Sequence, residues 1–199
     1  MESLQTPQTS QGNTASGESN QNTDWKRAAL DILETLILAV VLYFGINAVS
    51  ARVRVDGFSM NPSLANGEYI LVNKLAYRLG EPARGDIVVF SFPLDPEQDL
   101  IKRVIGLPGE TVSIQNGQVS VNGDLLEEPY IAASPLYNGT WVVTDGQLFV
   151  LGDNRNESKD SHEWGLLPME NIIGRAVLIY WPPPKWEMID HVEPASAAQ

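Results

Sequence analysis

Thr111-Val-Ser-Ile-Gln-Asn-Gly-Gln-Val-Ser-Val121 alternates apolar and polar residues on both sides of Asn116-Gly117. A period of two gives a strand one apolar face, and Asn-Gly suits the two positive-φ positions of a type I′ turn, so the stretch predicts a β-hairpin. Working outward, Tyr69–Asn73, Asp86–Phe92, Gln147–Leu151 and Gly174–Trp181 have the same texture, short, β-branched or aromatic, and bounded by Gly, Pro, Asn or Asp. Many short strands and almost no helical period predict a mostly-β domain, either a coiled β-sheet or a partly closed barrel. Pro182-Pro-Pro184 is expected to end it.

The 199 residues leave room for one such core. Residues 1–25 are expected to form a disordered polar tail, because Met1 to Thr23 has Leu4 as its only large apolar residue. Residues 26–51 are expected to be a transmembrane helix, 52–181 the β-rich domain, and 182–199 a Pro-rich tail. Thr35 to Val49 carries no charge over 15 residues, short of the roughly 20 that a span needs. Counting from Ala28 to Ala51 gives about 36 Å of helix at about 1.5 Å per residue, enough to cross if Asp31 and Glu34 sit at the interface. There they also face the positive end of the helix dipole. The same run followed by Ala48-Val-Ser-Ala51 also reads as a secretory signal, and a buried globular helix is a third reading. The long polar N-terminus and the two acids argue against removal. Lys26 and Arg27 on one side and Arg52 and Arg54 on the other leave orientation open.

The formal net charge is −12, and the folded part is itself acidic, so a nucleic-acid partner is not expected. There is no cysteine, which removes disulfides, thiol nucleophiles and thiolate metal sites together. His162 and His191 are the only histidines, too few for a histidine-rich metal centre, and no metal or cofactor is expected.

Chemistry concentrates in two places. Ser59 lies in Gly57-Phe-Ser-Met-Asn-Pro-Ser-Leu64, shortly after the apolar run, and Lys102 opens Lys102-Arg-Val-Ile-Gly-Leu-Pro-Gly-Glu110. A serine hydroxyl is a poor nucleophile until a base takes its proton, and lysine can be that base only where burial pushes its pKa toward neutrality. Lys102 is therefore required to be dry.

These blocks, with Gly85-Asp-Ile-Val-Val-Phe90 and Gly152-Asp-Asn-Arg-Asn-Glu-Ser-Lys-Asp-Ser-His-Glu-Trp-Gly165, resemble the ordered motifs of type I signal peptidases. The resemblance runs from about Thr35 to Trp181. It implies a membrane-bound endopeptidase that removes signal peptides from exported preproteins, with Ser59 as nucleophile and Lys102 as general base. It also implies that Ser158 orients the lysine amine, and that the N-terminus is cytoplasmic with the catalytic part across a plasma (inner) or thylakoid membrane. Preprotein signal peptides and the lipid bilayer are the partners so implied. Asp153, Arg155 and Asp160 are expected to form a cluster of ion pairs and hydrogen bonds holding their loop, with Gly152 and Asn154 as turn residues. Phe58, Met60, Ile87 and Val89 are the expected pocket wall.

Two positions depart from the common pattern. Many bacterial relatives carry a serine where this chain has Gly57, so the oxyanion is expected to fall more on the Ser59 N–H. His162 stands where an arginine is common, and this variant resembles cyanobacterial and plastid-type members. It also allows a rival mechanism in which His162 and Asp160 activate the serine. A self-cleaving Ser/Lys regulator and an inactive membrane-tethered β module are further alternatives. The module would not need Ser59 and Lys102 within about 3.2 Å of each other.

Overall fold

A computed structural model describes residues 21–191. The expected tail of residues 1–25 and the chain beyond 191 therefore lie largely outside the described residues. Contact density divides the chain into two units, one ending at Gly45 and the other beginning at Ile46.

The first unit holds most of helix α1 (Gln21–Val49), of which Trp25–Val49 is long and apolar enough to cross a membrane. Its Leu, Ile, Val and Phe side chains from Leu30 to Val49 are exposed, a surface that water alone would not favour. The helix stops two residues short of the expected boundary at Ala51. Ser50 and Ala51 instead open strand β1 (Ser50–Arg54), because they pair with Asn73 and Val72. Ala51 alone would favour continuing the helix, but the ladder to β2 overrides that propensity.

The second unit continues with β2 (Tyr69–Asn73), a single helical turn α2 (Ala76–Leu79), β3 (Ile87–Phe92) and β4 (Asp95–Gly106). There follow β5 (Thr111–Gln115), β6 (Gln118–Val121), β7 (Asp124–Leu125), β8 (Gly139–Val142) and β9 (Gln147–Leu151). The last elements are a short helix α3 (Ser161–Trp164), β10 (Leu167–Pro168), β11 (Ile172–Trp181) and β12 (Glu187–Met188).

The larger sheet runs β1-β2-β11-β3-β4-β9-β10, with β12 also on β11, and the smaller β7-β6-β5-β8. Every pairing is antiparallel. The domain is thus mostly β, and the larger path ends at β1 and β10 without closing into a barrel. Register shifts where β11 meets β2 and β3, and where β4 meets β3 and β9, bend the strands and supply the coil.

The hairpin is as the sequence predicts. Asn116 and Gly117 have φ of 52° and 78°, and Gln115 pairs with Gln118. A second Asn-Gly turn, Asn122-Gly123, joins β6 to β7 with φ of 54° and 94°.

β3 is buried on both faces: Ile87 and Val89 enter one core cluster with Met60 and Leu64, while Val88 and Phe90 enter another with Val104 and Val150. A third cluster joins Ile105 and Phe149 to Val112, Ile114, Val119 and Val121. Of the expected tail of residues 182–199, the described part, 182–191, packs back on the domain. β12 pairs with Leu178 and Ile179 of β11, and Ile189 packs on the first core cluster. Lys185 Nζ meets Glu68 Oε1 at 2.7 Å. The prolines end one strand, yet the chain still returns to its edge.

Candidate active site

β4 carries Lys102 and Arg103 side by side, each only 2% exposed. They point to different partners, as neighbours on a strand must. Lys102 Nζ lies 2.8 Å from Ser59 Oγ and donates to the Ile101 carbonyl at 2.9 Å. Burial pushes the Lys102 amine down from 10.5 to about 8, against the opposing pull of Asp160 and Asp153.

Ser59 sits in the loop between β1 and β2, tied off by Val55 and Glu68 in backbone hydrogen bonds. Gly57 begins its approach at φ +96° and donates to Asn66 Oδ1 at 3.0 Å. The serine's own peptide is held by the segment after β9: Asn154 N–H donates to the Ser59 carbonyl at 3.0 Å, and Asn154 Nδ2 to the Phe58 carbonyl at 3.2 Å. Gly152 makes that approach possible. A Cβ there would overlap Ser158 Oγ and the Ser59 carbonyl, so its glycine is required for space rather than for the expected turn.

The expected ionic cluster divides into three outward pairings. Arg103 meets Asp153 through two contacts of 2.8 and 2.7 Å, with Tyr130 stacked at 4.0 Å from the guanidinium. Arg155 meets Glu128 at 2.7 and 2.6 Å and donates to the Gly152 carbonyl at 3.1 Å. Asp160 accepts from Gly152 N–H at 2.9 Å, and its other oxygen lies 2.7 Å from His162 Nδ1. Arg103 and Glu128 were not singled out from the sequence. Arg103 could have been, since it follows Lys102 and alternation forces it to another partner; nothing local marks Glu128.

Ser158 makes no hydrogen bond to the lysine amine in this structure. Among the described residues its buried hydroxyl has no hydrogen-bond partner, and the amine donates to the Ile101 carbonyl. His162 does not reach the serine either: beyond Asp160 its Nε2 stands 3.7 Å from Glu163, and its ring stacks on Tyr137 at 3.8 Å.

A cleft of about 370 Å³ opens at Ser59 and Lys102. Val53 of β1, Val55 just beyond it, Met60, and Leu100 and Ile101 of β4 line it. Of the four expected wall residues only Met60 lines it. Ile87 and Val89 are core residues behind it, and Phe58 is 57% exposed outside it. Val53 and Val55 stand close to Ser59 in sequence but were missed, because a short strand does not say which of its faces turns to the cleft. Among the described residues no group of His, Cys, Asp or Glu is disposed to hold a metal ion.

The family described as signal peptidase, peptidase S26, matches residues 29–181. A probable signal peptidase I-2 of Synechocystis is 44% identical over 78% of this chain and 75% of its own length. A signal peptidase I of Leptolyngbya laminosa is 45% identical over 75% of this chain and 78% of its own. The thylakoidal processing peptidase 1 of Arabidopsis thaliana is 36% identical over 70% of this chain and 44% of its own. With the family matching most of its length, this chain belongs to the signal peptidases of family S26.

Proposed function

We propose that Ser59 and Lys102 are the nucleophile and general base with which this signal peptidase cleaves preproteins. The 2.8 Å approach of Nζ to Oγ, with the amine buried, carries this reading. Neutral Lys102 takes the Ser59 proton as Oγ bonds to the scissile carbonyl carbon. It then returns that proton to the leaving amine as the peptide C–N bond breaks, leaving an acyl-enzyme. In the second half Lys102 takes a proton from water, whose oxygen attacks the ester, and Ser59 Oγ leaves with the proton.

Among the described residues no hydrogen bond engages the Ser59 N–H, which leaves it available to the oxyanion. The cleft walls suit an extended peptide. β1 is an edge strand, and β4 has no partner on its β9 side before Arg103. A signal-peptide segment laid between them gains backbone hydrogen bonds from both edges, with small side chains fitting against Val53, Met60 and Ile101. Asp153, Arg155 and Asp160 hold the loop that pins Ser59.

We infer that α1 anchors the enzyme in a plasma (inner) or thylakoid membrane, with its N-terminus cytoplasmic and the β domain on the export side. Only about nine residues link the helix to Ser59, so the nucleophile stays within roughly 30 Å of the bilayer. A substrate whose apolar segment remains in the membrane is then within reach. Wild type in detergent should cleave a preprotein at its signal junction and Ser59→Ala should not; equal cleavage by both removes the assignment. Protease added to sealed cytoplasmic-side-out vesicles should trim only about the first 25 residues, and digestion of the β domain would reverse the topology.

A further inference from the structure

The loop that pins Ser59 holds a second group able to carry positive charge that the proton transfer does not use, His162. Asp160 is fully buried. One of its oxygens accepts from Gly152 N–H at 2.9 Å, and the other accepts from His162 N–H at 3.2 Å and lies 2.7 Å from His162 Nδ1. The Tyr137 ring holds the imidazole flat, 10° from parallel. Lys102 makes no ion pair with Asp160, yet it feels that carboxylate more than any other. When Lys102 gives up its proton, His162 is, among the described residues, the one side chain bonded to Asp160 that can balance its charge.

We propose that His162 is a positioning residue for the cleavage reaction: as an imidazolium it serves as the counter-charge of buried Asp160 while Lys102 is neutral. The competent microstate then pairs neutral Lys102 with charged His162, and the two cations compete for the field of one carboxylate. Through Gly152, which Asp160 fixes and which packs on the Ser59 carbonyl, the same pair keeps the nucleophile in place. This inference rests on Lys102 being the base.

The surroundings agree in sign. The groups facing His162 are Asp160, Glu163 and the Tyr137 ring. The other charged groups of this loop region, Arg155–Glu128 and Arg103–Asp153, are already compensated as pairs. The bond to Asp160 raises the imidazole above its usual 6.5, helped by the carboxylate charges of Asp160 and Glu163 and opposed by partial burial. A proton on His162 must lower the proton affinity of Lys102, and by reciprocity a proton on Lys102 must lower that of His162.

The first test reads the acidic limb of kcat/KM for a preprotein with wild type, His162→Arg and His162→Asn in detergent. Arginine carries the charge permanently and asparagine never. The limb should therefore lie lowest for His162→Arg and highest for His162→Asn, with a total spread on the order of one pH unit. Coincident limbs, or the reverse order, overturn the proposal. The second test needs no activity. With only two histidines in the chain, imidazole NMR of the Ser59→Ala protein follows His162 directly. Adding Lys102→Met should move the His162 titration to higher pH, because a competing cation is gone; an unchanged or lowered titration overturns the coupling. If Lys102→Met still cleaves preprotein, the dyad itself fails, an outcome separate from either result for His162.

Discussion

Lys102 and Arg103 are neighbours with equal burial and opposite electrostatics. Arg103 is matched by a bidentate carboxylate, a backbone carbonyl at Gly85 and an aromatic face, so its charge is fully compensated. Lys102 has a hydroxyl and one carbonyl and, among the described residues, no carboxylate in contact. Burial acts on both, but only Arg103 has a partner that repays the lost hydration. The lesson is that burial alone does not make a base; burial without a counter-ion does. One residue is thereby a structural cation and the next a group that can be neutral near pH 8.

The largest expected effect follows from removing the unmatched cation. Lys102→Met keeps much of the stem volume without the amine, and Lys102→Arg keeps a charge that cannot be discharged near pH 8, so each should lose turnover by about 10³-fold or more. Circular dichroism should report folded protein in both. If the His162 rival were correct, Lys102→Met would retain cleavage and His162→Asn would abolish it.

Removing the matched cation should act on stability instead. Asp153→Ala leaves Arg103 buried and unpaired, which costs about 3 to 5 kcal/mol. That loss should appear as a lower denaturation midpoint. Turnover lost with an unchanged midpoint would mean that Asp153 belongs to the chemistry rather than to the scaffold.

How far this contrast could be read from the sequence depends on range. Asn116-Gly117 specified its hairpin because the signal and the structure occupy the same few residues. Ser59 and Lys102 were legible as a pair through their ordered motifs, and the requirement that Lys102 be dry followed from chemistry alone. What made it dry was not legible. Ile87 and Val89 were expected at the substrate wall, but a strand buried on both faces offers no period that says which side faces the cleft. Val53 and Val55 line the cleft from a strand whose cleft-facing side the sequence does not mark, and Glu128 meets Arg155 from a segment without distinguishing composition. The β12 return was hidden for a similar reason. Pro182 to Pro184 read as an ending, while Ile189 is held by core contacts beyond them.

The third prediction concerns pH and stability. The folded-state pKa of Lys102 is lowered from 10.5 to about 8, so below pH 8 both states hold the proton and the cost of burying the charge is present in full. Between about 8 and 10.5 the unfolded chain binds more protons than the folded one, and stability rises with pH as that cost is relieved. Its full size is about 3 kcal/mol. Lys102→Met should therefore be more stable than wild type at pH 7, with the gap closing as pH approaches 10.5. Denaturant titrations at several pH values check this. A constant gap would mean that Lys102 is solvated.

The smallest effect tests the partner that Lys102 lacks. Ser158 Oγ is buried near Gly152 and unbonded, a state that costs the hydroxyl its hydration. Ser158→Ala removes that cost and opens only a small gap, so stability should change by less than about 1 kcal/mol in either direction. Turnover reads a different property, because rotation about its Cα–Cβ bond is the one freedom by which the unbonded hydroxyl can become an acceptor for the amine. A neutral amine needs an acceptor for its own N–H groups to keep its lone pair aimed at Ser59, and a second acceptor beside the Ile101 carbonyl narrows that aim. On that basis Ser158→Ala should lower kcat by about 10- to 100-fold with little change in KM, and Ser158→Thr should recover part of it. Unchanged kcat in Ser158→Ala would mean that the Ile101 carbonyl orients the base unaided, the arrangement seen in the free enzyme.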